Sequence, residues 1–160
     1  MNAKEALRIS INMGQLISMG YLEDLTDEEM MHRAGAGVNH IKWQVGHLIA
    51  SENNLINQAV PGSMPELPAG FAEKYTPETA SNDDPGAFDS KETLLKLFNE
   101  NRAGTLAALD AIPNEDLSRD TGLPYAPQVA CLFEMQGSHW VMHAGQWAVA
   151  RRQLGRPPLF

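Results

Sequence analysis

The chain has 160 residues, a net charge of −8, 43% apolar side chains, ten prolines and one cysteine. That is enough apolar material for one folded domain over residues 1–160, and too much for a disordered chain. The 12 basic residues are scattered rather than clustered, a single thiol cannot form an internal disulfide, and no run approaches the roughly 18 apolar residues of a membrane span, so nucleic acid, an oxidising compartment and a bilayer are all disfavoured.

Residues 3–19 read as the first helix, with Leu7, Ser10/Ile11, Gly14 and Ile17 at helical spacing. Arg8, Ser10, Asn12 and Gln15 interrupt any signal-peptide core there, so a cytoplasmic location is expected. A short turn is expected at "TDEEMMHR", where Thr26 and Glu29 have capping-box spacing. The second helix spans about 40–59 on Ile41, Val45, Leu48, Leu55 and Ala59, and "PGSMPELPAG" stops it. Residues 61–89 carry five prolines and little periodicity, as a long connection does. The third helix is expected from about Asp89, which pairs with Glu92 as a capping box, to Ile112 before Pro113. Residues 113–127 read as a loop, with no period-2 strand signal. The fourth helix covers about 128–154, with Gly155 as its C-terminal cap.

Four amphipathic helices imply an all-α four-helix bundle. A 20-residue helix is about 30 Å long, and the connection between helices 2 and 3 could span roughly 90 Å if extended. That reach allows those two helices to run parallel, in up-down-down-up order.

Chemistry is concentrated in the histidines. His139 and His143 lie four apart on one helix face, so both imidazoles can reach one ion. The same spacing also suits packed core histidines. Of the others, His47 lies mid-helix beside the apolar stripe and is the best third ligand. His40 is seven residues, about 10.5 Å along the axis, from His47, and suits exposure or capping. His32 should face solvent. Cys131 is about 12 Å along the helix from His139 and reads as a small buried side chain. Glu52 suits the surface or an outer contact of the site, and Gln44 and Gln146 could line it. Gly46 and Gly145 suggest close helix approach around the site. Arg151 and Arg152 suit the helix C-terminus. Trp43, Trp140 and Trp147 suit core or pocket wall, or else a dimer interface.

"NHIKWQVGHLIASEN" followed by "HWVMHAGQWAVARRQLGRPP" resembles the DinB/YfiT-like superfamily. The resemblance implies a four-helix bundle of up-down-down-up order. It also implies a divalent metal, zinc or nickel, held by His47, His139 and His143, with Gly145 and Gln146 completing the second stretch. Families similar to this one include thiol-dependent transferases that use bacillithiol, mycothiol or glutathione, and a maleylpyruvate isomerase. Three protein ligands leave a fourth zinc position open, and a thiol bound there would lose its proton. The expected activity is therefore thiol S-transfer onto a small-molecule electrophile. Metal-dependent hydrolysis is the chemical alternative, and a non-catalytic metal-binding bundle the structural one. A homodimer is the expected assembly.

Overall fold

Side-chain caps open three of the four long helices in the computed structural model, which describes residues 1–159. Helix α1 is Ala3–Leu22. Asn2 opens it, accepting from the Glu5 amide while the Glu5 carboxylate accepts from the Asn2 amide. Thr26 and Glu29 make the expected reciprocal pair at a 3₁₀ turn, Glu29–Met31. Helix α2 is Ile41–Ala59, and His40 Nδ1 accepts from the Trp43 amide at its start. His40 thus caps as expected, but it is fully buried rather than exposed.

Helix α3 is Lys91–Ala111. Its cap is Ser90, whose Oγ accepts from the Thr93 amide, and not Asp89. The Asp89 carboxylate is already committed to the Lys74 ammonium and the Tyr75 hydroxyl. Helix α4 is Val129–Gln153. Gly155, at φ 76°, closes it with bonds from Gly155 N to Arg152 O and Arg156 N to Arg151 O, the double bond of a Schellman cap.

Tertiary hydrogen bonds fix the directions. Ser10 meets Glu134 near one end of the α1–α4 pair, and Arg151 meets the Tyr21 carbonyl near the other, so α1 and α4 are parallel. Asp27 takes both the Lys42 ammonium and the Lys91 amide, so α2 and α3 start at the same end. Arg102 then meets Glu52 further along both. Lys4 reaches the Asp110 carbonyl while Lys91 reaches that of Glu23, so α1 and α3 are antiparallel. The bundle is therefore all-α in plan and up-down-down-up, as expected.

The crossover from α2 to α3 is not extended. It folds into 3₁₀ turns at Ala72–Tyr75, Pro77–Thr79 and Pro85–Ala87 and covers one end of α2. The expected loop before α4 holds a two-stranded antiparallel hairpin, β1 Asp120–Leu123 with β2 Ala126–Gln128. Strands of four and three residues are too short for alternation to show in sequence. Gly122, at φ 73°, and Thr121, which donates to the Ala126 carbonyl, shape that turn. Among the described residues no helix is long and apolar enough to cross a membrane.

All three tryptophans are buried, which assigns them to the core rather than to an interface. The core also holds charge. Glu52 is completely buried and accepts from Arg102 Nη2 (2.9 Å), Thr105 Oγ1 (2.7 Å) and Trp140 Nε1 (3.0 Å). It is neither surface nor part of the histidine cluster. Arg151, read as a helix-end charge, is buried against Asp24.

Gly14 on α1 and Gly137 on α4 let the two backbones touch. A Cβ on Gly14 would lie 2.6 Å from the Gly137 Cα, and one on Gly137 would lie 2.5 Å from the Ser10 carbonyl oxygen. Gly14→Ala should therefore destabilise the fold by about 1–2 kcal/mol, because overpacking outweighs the gain in helix propensity. An unchanged urea midpoint would refute this account of the contact.

Candidate metal centre

Rigid helix geometry places two of the three expected ligands. His139 and His143 are one turn apart on α4, with ring centroids 5.0 Å apart. The antiparallel α2 faces them and brings in His47, whose ring lies 5.6 Å from that of His139 and 5.8 Å from that of His143. One nitrogen from each ring falls within 4.8 Å of the others. This is the one such group of three or more metal-binding side chains among the described residues. All three rings are half-buried, leaving the cluster open to solvent on one side. His32 and His40 are elsewhere: His32 is half-buried against Gln153, and His40 caps α2.

A hydrogen-bond hub sets the His143 tautomer. Trp147 Nε1, which can only donate, lies 2.8 Å from Gln44 Oε1, so that atom is the amide oxygen. His143 Nδ1 lies 2.9 Å from the same oxygen and must also donate. Nδ1 therefore carries the proton, and Nε2 keeps its lone pair for a ligand. Gln44 is held in turn, its amide donating to the Asn39 carbonyl and to Gln146 Oε1 (3.0 Å). Gln44 is buried, not surface, and Gln146 supports it.

His47 is fixed differently. Trp43, one turn away on α2, stacks on its ring at 5.0 Å with the planes 6° apart. The Tyr75 backbone from the crossover hydrogen bonds to it. Gly46 makes that approach possible, since a Cβ there would meet the Tyr75 ring at 2.2 Å. Gly46 thus serves close approach as expected, although the neighbour is the crossover and not a helix. Gly145 does not: a Cβ there would meet nothing within 4 Å. Tyr75 had no sequence signal of its own; the glycine beside His47 was the clue to a neighbour.

The donor set fits a divalent ion of intermediate softness. It is nitrogen-only, and the imidazoles are held neutral. Burial, reinforced by the facing imidazoles, pushes His139 and His143 down to about 4, and burial lowers His47 despite its bond to Tyr75. Neutral imidazole is the form that binds metal.

The shifts predict acid sensitivity. In the unfolded chain these histidines titrate near 6.5, so between about pH 6.5 and 4 the unfolded state binds more protons than the folded one. The stability of the metal-free chain should be flat above that range and fall steadily as pH drops through it. His40, also held near 4 by burial, adds to the slope. Urea midpoints measured across pH 4–8 test this, and a midpoint independent of pH between about 6.5 and 4 would contradict it.

A family model described as the DinB superfamily matches residues 17–147, a span that contains all three histidines. Searches of curated proteins and of solved structures each gave no match.

Proposed function

Because the chain belongs to the DinB superfamily and gathers three neutral imidazoles at an open edge of its bundle, we propose that it is a metal-dependent thiol S-transferase. The observation that carries this reading is the convergence of His47, His139 and His143 with no carboxylate among them. A zinc or nickel ion held there would supply Lewis acidity, favouring the thiolate of a low-molecular-weight thiol over the thiol.

The chain's own contributions are positional. Gln44 keeps the His143 proton on Nδ1. Trp43 and the Tyr75 backbone hold the His47 ring in plane. The half-burial of the rings leaves one side of the cluster accessible to a small substrate. A reducing, cytoplasmic setting accords with a chain whose single cysteine, Cys131, has no disulfide.

The test uses protein purified without a histidine tag. About one zinc or nickel per chain is expected, together with metal-dependent conjugation of bacillithiol, mycothiol or glutathione to monochlorobimane. Absence of stoichiometric metal would overturn the metal-dependent reading. Bound metal with no thiol turnover, but with ester or amide cleavage, would replace the transferase with a hydrolase. Chelation should leave the helices folded, because the buried apolar side chains of the bundle pack against one another without the ion.

A further inference from the structure

Helix α4 presents an apolar strip beside the histidine cluster. At about 100° per residue, Met135 and Met142 lie about 40° and 60° around α4 from His139, both in the same sense. Buried Trp140 lies about 100° around in the other sense and marks the core, so the strip flanks the histidines on their outward side. Met135 and Met142 are four and three residues from His139, the spacings at which helical side chains touch. Met142 is 60% exposed, and Val149, 45% exposed, extends the strip along α4.

This face carries no formal charge. Residues 135–150 of α4 include no Asp, Glu, Lys or Arg, although these make up 20% of the chain. The charged residues of α2 are Lys42 and Glu52, both buried in ion pairs. Beyond His47, α2 offers neutral groups: Ser51, one turn on, is half-buried, and Asn54 is exposed. Among the described residues neither of these side chains has a hydrogen-bond partner. On the crossover, Lys74 is tied to Asp89, which leaves Glu73 and Glu78 as the exposed charges of its first two turns. Arg152 stands nine residues, about 13.5 Å, beyond His143. No cation on these elements is therefore placed beside the cluster to hold a carboxylate, sulfonate or phosphate of a bound molecule, and such a group would lose water without gaining a partner.

An uncharged molecule meets the opposite balance. Covering Met142 and Met135 removes apolar surface from water, and the flexible thioethers adapt to the shape laid on them. The Ser51 hydroxyl is free to donate to a neutral oxygen such as a carbonyl or nitro group. We infer that the Met135–Met142 strip and Ser51 form the docking site for the molecule acted on at the cluster, and that this molecule is an uncharged compound with an apolar body and a neutral oxygen acceptor. The inference rests on the metal-centre reading of the same site, and it holds whether a thiol or water attacks.

The test titrates 4-nitroacetophenone into the zinc-loaded chain labelled with [methyl-13C]methionine. The Met142 and Met135 methyl resonances should move, with a dissociation constant on the order of 1 mM for a ligand of about 12 non-hydrogen atoms. Met13, 49% exposed on α1, controls for unspecific apolar contact and should stay in place. The anion 4-nitrobenzenesulfonate, a weak metal ligand with the same ring, should bind at least about tenfold more weakly. Read at Met135, Met142→Leu should keep the affinity within about threefold, and Met142→Glu should lower it at least about fivefold. Met13 moving as far as Met142, the sulfonate binding as tightly as the ketone, or indifference to Met142→Glu would each overturn the inference. So would a Met142 resonance that moves when the chain is concentrated without ligand, because the strip would then belong to a contact between chains. None of these readouts needs turnover, so a chain that binds the ketone at the strip but conjugates no thiol refutes the transferase reading alone.

Discussion

Replacing His143 with alanine is expected to abolish stoichiometric metal binding while leaving the helical fold intact. The lost ligand is one of three, and its partners sit on two helices whose packing depends on other residues. Gln44→Leu provides a graded comparison. It removes the acceptor that fixes the His143 tautomer and also leaves Trp147 Nε1 without its partner. Loss of such an outer partner costs about 10–100-fold in metal affinity, so Gln44→Leu should fall between wild type and His143→Ala. Gln44→Glu keeps an acceptor for His143 and should retain most of the affinity. Competition against a fluorescent zinc chelator ranks the three variants. His143→Ala binding as tightly as wild type would remove the site, and Gln44→Leu binding as tightly as wild type would remove the hub.

The second large effect lies in the core. Arg102→Ala should cost about 3–5 kcal/mol in urea unfolding, because it strands the Glu52 carboxylate in a fully buried position. Burial pushes the Glu52 pKa up, and the Arg102 guanidinium acts in the opposite direction. Arg102 also donates to the Gln136 carbonyl and lies 5.3 Å from the Phe98 ring centroid, so its removal loosens α4 as well. Removing both charges together, as Glu52→Leu with Arg102→Met, should cost much less than the single change, since no ion is then left unpaired. Equal losses for the single and double variants would show that packing around Arg102, rather than the stranded charge, dominates.

The contrast between these two regions explains how much the sequence revealed. The histidine cluster was legible because helical spacing is rigid: residues four apart must share a face, and His47 was the mid-helix imidazole on another helix. The Thr26–Glu29 box and the Gly155 cap were legible for a similar reason, since their chemistry is local. Glu52, Lys42, Arg102 and Arg151 were not, because charged side chains are ordinarily exposed and only tertiary contact shows who neutralises them. Asp89 illustrates competition. Its spacing to Glu92 suits a cap, but Lys74 and Tyr75, distant in sequence, claim its oxygens. Tyr75 was hidden within an aperiodic connection, and the hairpin was too short to alternate. Gly145 had a sequence rationale near the site that the structure does not support; its open side belongs to the opposite edge of α4.

The contact between Gly14 and Gly137 also imposes an order in time. More than a hundred residues separate these glycines, so α1 cannot acquire its closest neighbour until α4 has left the ribosome. At 5–20 residues per second, that wait is on the order of ten seconds. During it, α1 carries apolar residues on two sides with no α4 to cover them, and is a natural segment for a holding chaperone to grip. Two of the three histidines also lie on α4, so a nascent chain displays only an isolated imidazole of the triad. A metal ion held by all three imidazoles would thereby have to wait until α4 has packed against α2.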